Sequence, residues 1–356
     1  MKIEMSMNEI VTALLAAGNK RTILVEGPMG SGKTSLLHAL AEALPNHLPC
    51  YFDCTTKDLG DLMLPDINNT DGCVRFLPHE EFGIHLGRPV LLMFDEWGKT
   101  NQSVKLATLR TMLERDIGNQ KLHPDSIVFA TTNLGAENVG DLLPAHARNR
   151  LTVVRMRKPN ASEWLQWGIG AGIHPIILSW VKDTPQLFQS FEDVPEPRDN
   201  PYIHHPKEQR AAFVTGRSLH AASDWLHHKD EFSDEAITSL LAGTIGARAA
   251  LDLMAYVSMF DDLPRLQEIK DSPDTAKVPQ SAAALCMVVY RTLSTIDATW
   301  LDAWMTYLAR LEPEAQGLFA NGVREEKYPH RAMVMGNKKF TQWAMANGHM
   351  FAADKK

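Results

Sequence analysis

Four cysteines in 356 residues, at positions 50, 54, 73 and 286, are too few to frame a disulfide-stapled fold. Cys50 and Cys54 flank Tyr-Phe-Asp in an apolar run, where reduced core thiols are the expectation and a metal pair is not. Membrane-length hydrophobic runs are missing too, since no stretch approaches the roughly 20 apolar residues of a span. The opening "MKIEMSMNEIVTALLAAGNKRT" fails as a signal peptide, because Glu4 and Glu9 interrupt a short apolar stretch. These absences together lead us to expect a cytoplasmic protein with no membrane partner. There is also no surplus of positive charge. The net charge is -7 and the isoelectric point near 6.1, which excludes a protein built around a large basic surface. Nucleic acid is thereby an unfavoured partner, although a local basic patch masked by acid elsewhere would escape this argument. Internal repeats and low-complexity tracts are absent as well.

What is present is ordinary globular material, 44% hydrophobic and 22% charged, in a chain long enough for two or three domains. Up to about residue 157 the text alternates. "TILVEG", "PCYFDC", "VLLMFDE", "SIVFATT" and "LTVVRM" read as strands buried on both faces of a parallel sheet. Helical patterns lie between them. In "TSLLHALAEAL", Leu36, Leu37, Leu40 and Leu44 keep helical spacing up to Pro45. In "NQSVKLATLRTMLERD", Leu106, Leu109 and Leu113 line one face. This is an α/β layer architecture. After about Asn160 the strand signals stop and helical patterns dominate, with a polar loop over 192–210 and a soft boundary at "KDSPDTAKVPQ". The expected organisation is an α/β core over 1–158, a helical region over 159–270 and a C-terminal helical extension over 271–356.

"GPMGSGKT", Gly27 to Thr34, matches G-x-x-x-x-G-K-[ST] and sits directly after a predicted strand and before a predicted helix. The chemistry needs that placement. Glycines let backbone N–H groups turn inward as an anion nest, and the helix N-terminus adds partial positive charge. Gly27, Pro28, Met29, Gly30, Ser31, Gly32, Lys33, Thr34 and Ser35 are therefore the candidate phosphate-binding residues. Lys33 is expected to reach the β- and γ-phosphates of ATP, and the Thr34 hydroxyl to ligate Mg²⁺. A phosphate loop needs a second strand ending in acid. "LLMFDE" supplies it, with Asp95 as the candidate for organising Mg²⁺ and Glu96 as the candidate base that polarises the attacking water. "SIVFATTN" supplies a third strand end, where the Asn133 amide is expected to lie beside the acids and to orient the water near the γ-phosphate. The adjacent histidines His204–His205 and His227–His228 find no third ligand at convincing spacing, and no metal is expected there.

At these residues the chain resembles an AAA+ ATPase of the MoxR branch. "GPMGSGKTS" resembles that family's Walker A, "LLMFDEWGKT" its Walker B and "VFATTN" its sensor 1. "TKDLGDLMLPDINNTDGCVRFLPHEE" resembles the insert carried in the clade's second helix, which implies an insert at about 56–87 in a nucleotide-binding core over 1–158, with 159–270 as the helical lid. "LPAHARNRLTVV" resembles the arginine-finger segment, and "FVTGRSLHAASDWL" the lid segment that opens with the sensor 2 arginine. The chain departs from the family where Trp97 and Gly98 follow the acid pair, and where Thr215 and Gly216 precede Arg217. The resemblance implies a ring homo-oligomer, commonly a hexamer. In it Arg150 would enter the neighbour's site, with Arg148 as its competitor, and Arg217 would touch the γ-phosphate from the same chain's lid. It implies ATP hydrolysis used to remodel or mature a protein, and a partner bearing a von Willebrand A domain. A nucleic-acid motor and a nucleotide-gated scaffold are the competing functions.

Overall fold

The computed structural model describes residues 3–67, 72–133, 149–261 and 263–351. The chain divides into two compact units, Met1–Pro159 and Asn160–Lys356.

In the first unit a parallel sheet is built from β1 (Ile23–Glu26), β2 (Leu48–Asp53), β5 (Val90–Asp95), β8 (Ile127–Thr132) and β9 (Thr152–Arg155). Its spatial order is β2-β5-β8-β1-β9. The expected α/β class is what the chain adopts, and all five runs read as strands are strands. Every residue of β5 and of β8 is buried, as parallel strands covered on both faces require. Alternation along β5 divides the core into two layers. Leu91 and Met93 join Ile10 and Leu14 of α1 (Met7–Ala17) and Leu36 and Leu40 of α2 (Ser35–Ala43). Leu92 and Phe94 point the other way, toward Val104 and Met112 of α3 (Gln102–Glu114). Because β1 lies between β8 and β9 while the chain leaves it for the far edge at β2, the order reverses at the carboxyl end of β1. That is where open α/β sheets place ligands.

Three features of this unit depart from the sequence reading. The inward face of α3 runs through Val104, Lys105, Thr108, Leu109, Thr111 and Met112, and Leu106 is 50% exposed. Thr108 is turned inward, where its hydroxyl accepts from the buried Trp97 indole at 2.8 Å, so polar residues share this face with Leu109. The insert contains an antiparallel hairpin, β3 (Met63–Asp66) with β4 (Arg75–Pro78). A second small hairpin, β6 (Asp116–Ile117) with β7 (Gln120–Lys121), follows α3. The Asn119 side chain of its turn accepts from Phe76 N at 2.9 Å.

The second unit is all helix. Its first helix, α4 (Ala161–Gly170), is opened by a capping box in which Asn160 accepts from Glu163 N and Glu163 reaches back to Asn160 N. Helix α5 (Pro175–Asp183) had no place in the sequence reading. Its residues Pro175 to Val181 are all buried, and its nine residues fall short of the window of about 11–18 residues in which a helical period is read. Helices α6 (Gly216–His227), α7 (Asp234–Ile245), α8 (Ala247–Asp261), α9 (Leu266–Asp271), α10 (Ala282–Thr295), α11 (Leu301–Leu308), α12 (Pro313–Arg324), α13 (Arg331–Met335) and α14 (Lys338–Ala346) complete the unit. One hydrophobic cluster runs from Trp164 through Leu219, Met287 and Trp304 to Phe340. Residue 270 is therefore not a break in the core, since helices before and after it bury side chains together. Among the described residues no helix is long and apolar enough to cross a membrane.

Candidate active site

The phosphate loop leaves β1 at Gly27, whose N–H donates to Thr132 O of β8 at 3.1 Å. Gly30 (φ 70°) and Gly32 (φ 91°) take left-handed backbone that only glycine adopts freely, which is why the motif has glycine there. Lys33 is buried, and its ammonium donates to Gly27 O at 2.8 Å and Pro28 O at 3.0 Å, across the mouth of the loop. Ser31 Oγ is buried and has no hydrogen-bond partner within the described chain. A buried hydroxyl left unpaired costs about 1–3 kcal/mol. A phosphate oxygen in the loop would accept from it, so this orphan fits the ligand that the motif implies.

Asp95 ends β5 beside the loop and is 5% exposed. Burying a carboxylate is costly unless it is hydrogen-bonded, and this one is. Thr34 Oγ1 donates to its Oδ2 at 3.3 Å and Tyr51 Oη to the same oxygen at 2.9 Å. Thr131 Oγ1 of β8 and Glu96 N donate to Oδ1. The surroundings are anionic. Burial raises the Tyr51 hydroxyl far above the ordinary phenol range, and the charges of Asp95, Asp53 and Glu96 raise it further. Burial and the charges of Asp53 and Asp95 do the same to the Cys54 thiol. A field of that sign, meeting the Thr34 hydroxyl and the Asp95 carboxylate at one point, suits a divalent cation.

Glu96 takes a left-handed conformation, φ 52°, at a cost of about 1 kcal/mol for a residue with a Cβ. This turn carries its carboxylate away from that of Asp95 and toward Asn133. The Asn133 amide donates to Glu96 Oε1 at 3.3 Å, and Lys99 Nζ lies 2.7 Å from Oε2. Lys33, Thr34, Asp95, Glu96 and Asn133, each picked from the sequence for one task, thus converge at the carboxyl ends of three neighbouring strands.

Of the arginines, Arg150 is exposed in the turn before β9, and Arg148 lies outside the described residues. Arg217 belongs to the second unit. It is exposed at the start of α6, where Thr215 accepts from Ser218 N as the helix cap. The Thr215–Gly216 departure has a local cause. Thr215 is that cap, and a Cβ on Gly216 would meet the Trp164 indole nitrogen at 3.0 Å.

Sequence reasoning missed Tyr51, Thr131 and Lys99. Thr131 carried a usable signal, a hydroxyl two residues before Asn133 at the same strand end. Tyr51 and Lys99 carried none, because their roles come from strand register and from a turn.

No protein-family model matches the chain, and no curated protein matches it. Among solved structures, a Lys-to-Arg mutant of Thermotoga maritima RuvB is similar at 15% identity, over 83% of this chain and 85% of that one, with a TM-score of 0.37. A Pro-to-Gly mutant of the same protein is similar at 18% identity, over 84% and 91%, with a TM-score of 0.36. Likeness at that level says nothing of the site, which stands on its own geometry.

Proposed function

We infer that this chain is an ATP-hydrolysing AAA+ ATPase of MoxR type. On this reading it works as a ring, commonly of six subunits, to remodel or mature a protein partner. The observation that carries the reading is the convergence of the phosphate loop, Asp95, Glu96 and Asn133 at one strand edge. The loop N–H groups, Ser31 and Lys33 bind the triphosphate. Thr34 and Asp95 are the residues that would hold Mg²⁺, which when bound neutralises charge on the β- and γ-phosphates. Glu96 takes up the proton of the attacking water, and Asn133 orients Glu96. Arg150, exposed before β9, is free to serve a neighbouring subunit, and a finger supplied in trans ties hydrolysis to assembly. The resemblance assigns Arg217, at the start of α6, to the γ-phosphate.

The partner follows from the family resemblance, which points to a von Willebrand A domain protein. The hairpin of the insert is the surface proposed to meet substrate, since Leu64, Ile67, Val74 and Leu77 are exposed on it or beside it. The insert is acidic, with Asp58, Asp61, Asp66, Asp71, Glu80 and Glu81 against Lys57 and Arg75, and this is the ground against nucleic acid. It bears on the insert alone, so DNA belongs in the assay as a competing stimulus. The test is ATP hydrolysis by wild type and Glu96→Gln, with nucleotide binding measured on both. Binding retained and hydrolysis lost in the variant supports the reading. Binding with no hydrolysis by the wild type leaves a nucleotide-gated scaffold.

A further inference from the structure

Asn133 donates to Oε1 of the candidate base, while the Lys99 ammonium pairs with Oε2 by charge at 2.7 Å, without the alignment of a hydrogen bond. The lysine comes from a turn that is braced on several sides. Lys99 N donates to Glu96 O at 2.9 Å, which brings the residue back over Glu96 within one short turn. Trp97 is buried and its indole donates to Thr108. Lys105 Nζ lies 5.9 Å from the Trp97 ring centroid and donates to Gly98 O at 3.1 Å. Gly98 abuts Thr132 so closely that a Cβ would sit 2.1 Å from its hydroxyl. Thr100 Oγ1 donates to Cys54 O at 2.6 Å. The two residues by which this stretch departs from the MoxR pattern, Trp97 and Gly98, are thus the ones that seat the turn.

We propose that Lys99 is a positioning residue that latches Glu96 in the resting subunit. Its ammonium holds the carboxylate in an ion pair, away from the water that it would activate. The γ-phosphate of bound ATP, a second anion at the same strand edge, competes for the ammonium and releases the base once the substrate is in place. The proposal rests on the hydrolysis reading. The pair is about three-tenths exposed at each side chain, so the restraint is modest.

The experiment compares kcat and KM for ATP in wild type, Lys99→Met, Lys99→Arg and the double variant Lys99→Met with Glu96→Gln. Nucleotide affinity is read separately with a fluorescent ATP analogue, and circular dichroism checks that each variant folds. The latch predicts a kcat raised about two- to fivefold in Lys99→Met, with KM and affinity unchanged. It predicts a return toward wild type in Lys99→Arg and no gain in the double variant. A kcat unchanged or lowered in Lys99→Met, with wild type active, overturns the latch and leaves the hydrolysis reading intact. A gain that survives Glu96→Gln also overturns it. Binding of ATP with hydrolysis by neither wild type nor Lys99→Met removes the hydrolysis reading, and the latch with it.

Discussion

Replacing Gly98 with alanine tests how the turn after the acid pair is seated. Gly98 is not in left-handed backbone, so the obstacle to a side chain there is space and not conformation. The added Cβ would lie 2.1 Å from Thr132 Oγ1 and 3.2 Å from Thr132 Cβ. Thr132 cannot withdraw easily. It pairs in register with Glu26 of β1, and its carbonyl accepts from Gly27 N of the phosphate loop at 3.1 Å. Rotating the hydroxyl away relieves the first contact and leaves the second. Two magnitudes oppose each other. Alanine lowers unfolded-chain entropy and stabilises by about 0.4–1 kcal/mol where it fits. Overpacking a closed site costs about 1–3 kcal/mol. The clash wins, and Gly98→Ala should lower stability by about 1–2 kcal/mol, or about 2–8 °C in the melting of a unit of this size. Urea denaturation followed by circular dichroism measures it, and a cycle with Thr132→Ala locates the cause. Removing the Thr132 hydroxyl and methyl should recover about 1 kcal/mol of the penalty. A Gly98→Ala protein as stable as wild type would refute the argument, as would a penalty unchanged by Thr132→Ala.

Two further outcomes follow from single contacts. Tyr51→Phe removes the hydroxyl that fixes Asp95 Oδ2, so the Mg²⁺ concentration giving half-maximal hydrolysis should rise up to about tenfold, and an unchanged Mg²⁺ requirement would make Tyr51 a bystander. His174 caps α5 with its ring nitrogen, and burial, followed by the charges of His227 and Lys229, pushes its pKa down to about 3. Its folded pKa lies below the unfolded value near 6.5, so the unfolded chain binds the extra proton and stability falls as pH drops from about 6.5 toward 3. Between pH 7 and pH 5 wild type should lose about 2 kcal/mol more than His174→Asn by urea denaturation, and equal losses would contradict the assignment.

Much of this molecule was legible because its signals are local. The five strands announce themselves as unbroken apolar runs, and the phosphate loop as a spacing whose glycines have no cheaper explanation. Asp95, Glu96 and Asn133 were legible as strand ends, and the parallel sheet brings strand ends to one edge by construction. What stayed hidden depends on neighbours distant in sequence. Helix α5 is only nine residues long, too short for its period to stand out, and Pro175 to Val181 are buried. The inward face of α3 keeps Leu109 and also takes in Thr108, which accepts from a distant tryptophan, while Leu106 of the leucine spacing is turned out. Tyr51 serves Asp95 from a strand forty-four residues away. Lys99 reaches Glu96 because of a three-residue turn whose shape is decided by Gly98 meeting Thr132.

The central claim is that this site hydrolyses ATP and is completed by a neighbouring subunit. The most direct measurement is phosphate release per subunit from ATP and Mg²⁺ across a wide range of protein concentration, for wild type and Glu96→Gln side by side. Particle size should be recorded at each concentration. The account predicts a wild-type rate per subunit that climbs as the ring assembles, and a variant that binds ATP, assembles alike and releases at least about a hundredfold less phosphate. A wild-type rate per subunit that stays constant while particle size falls to the monomer would contradict completion in trans. Equal rates in wild type and Glu96→Gln would contradict the site itself.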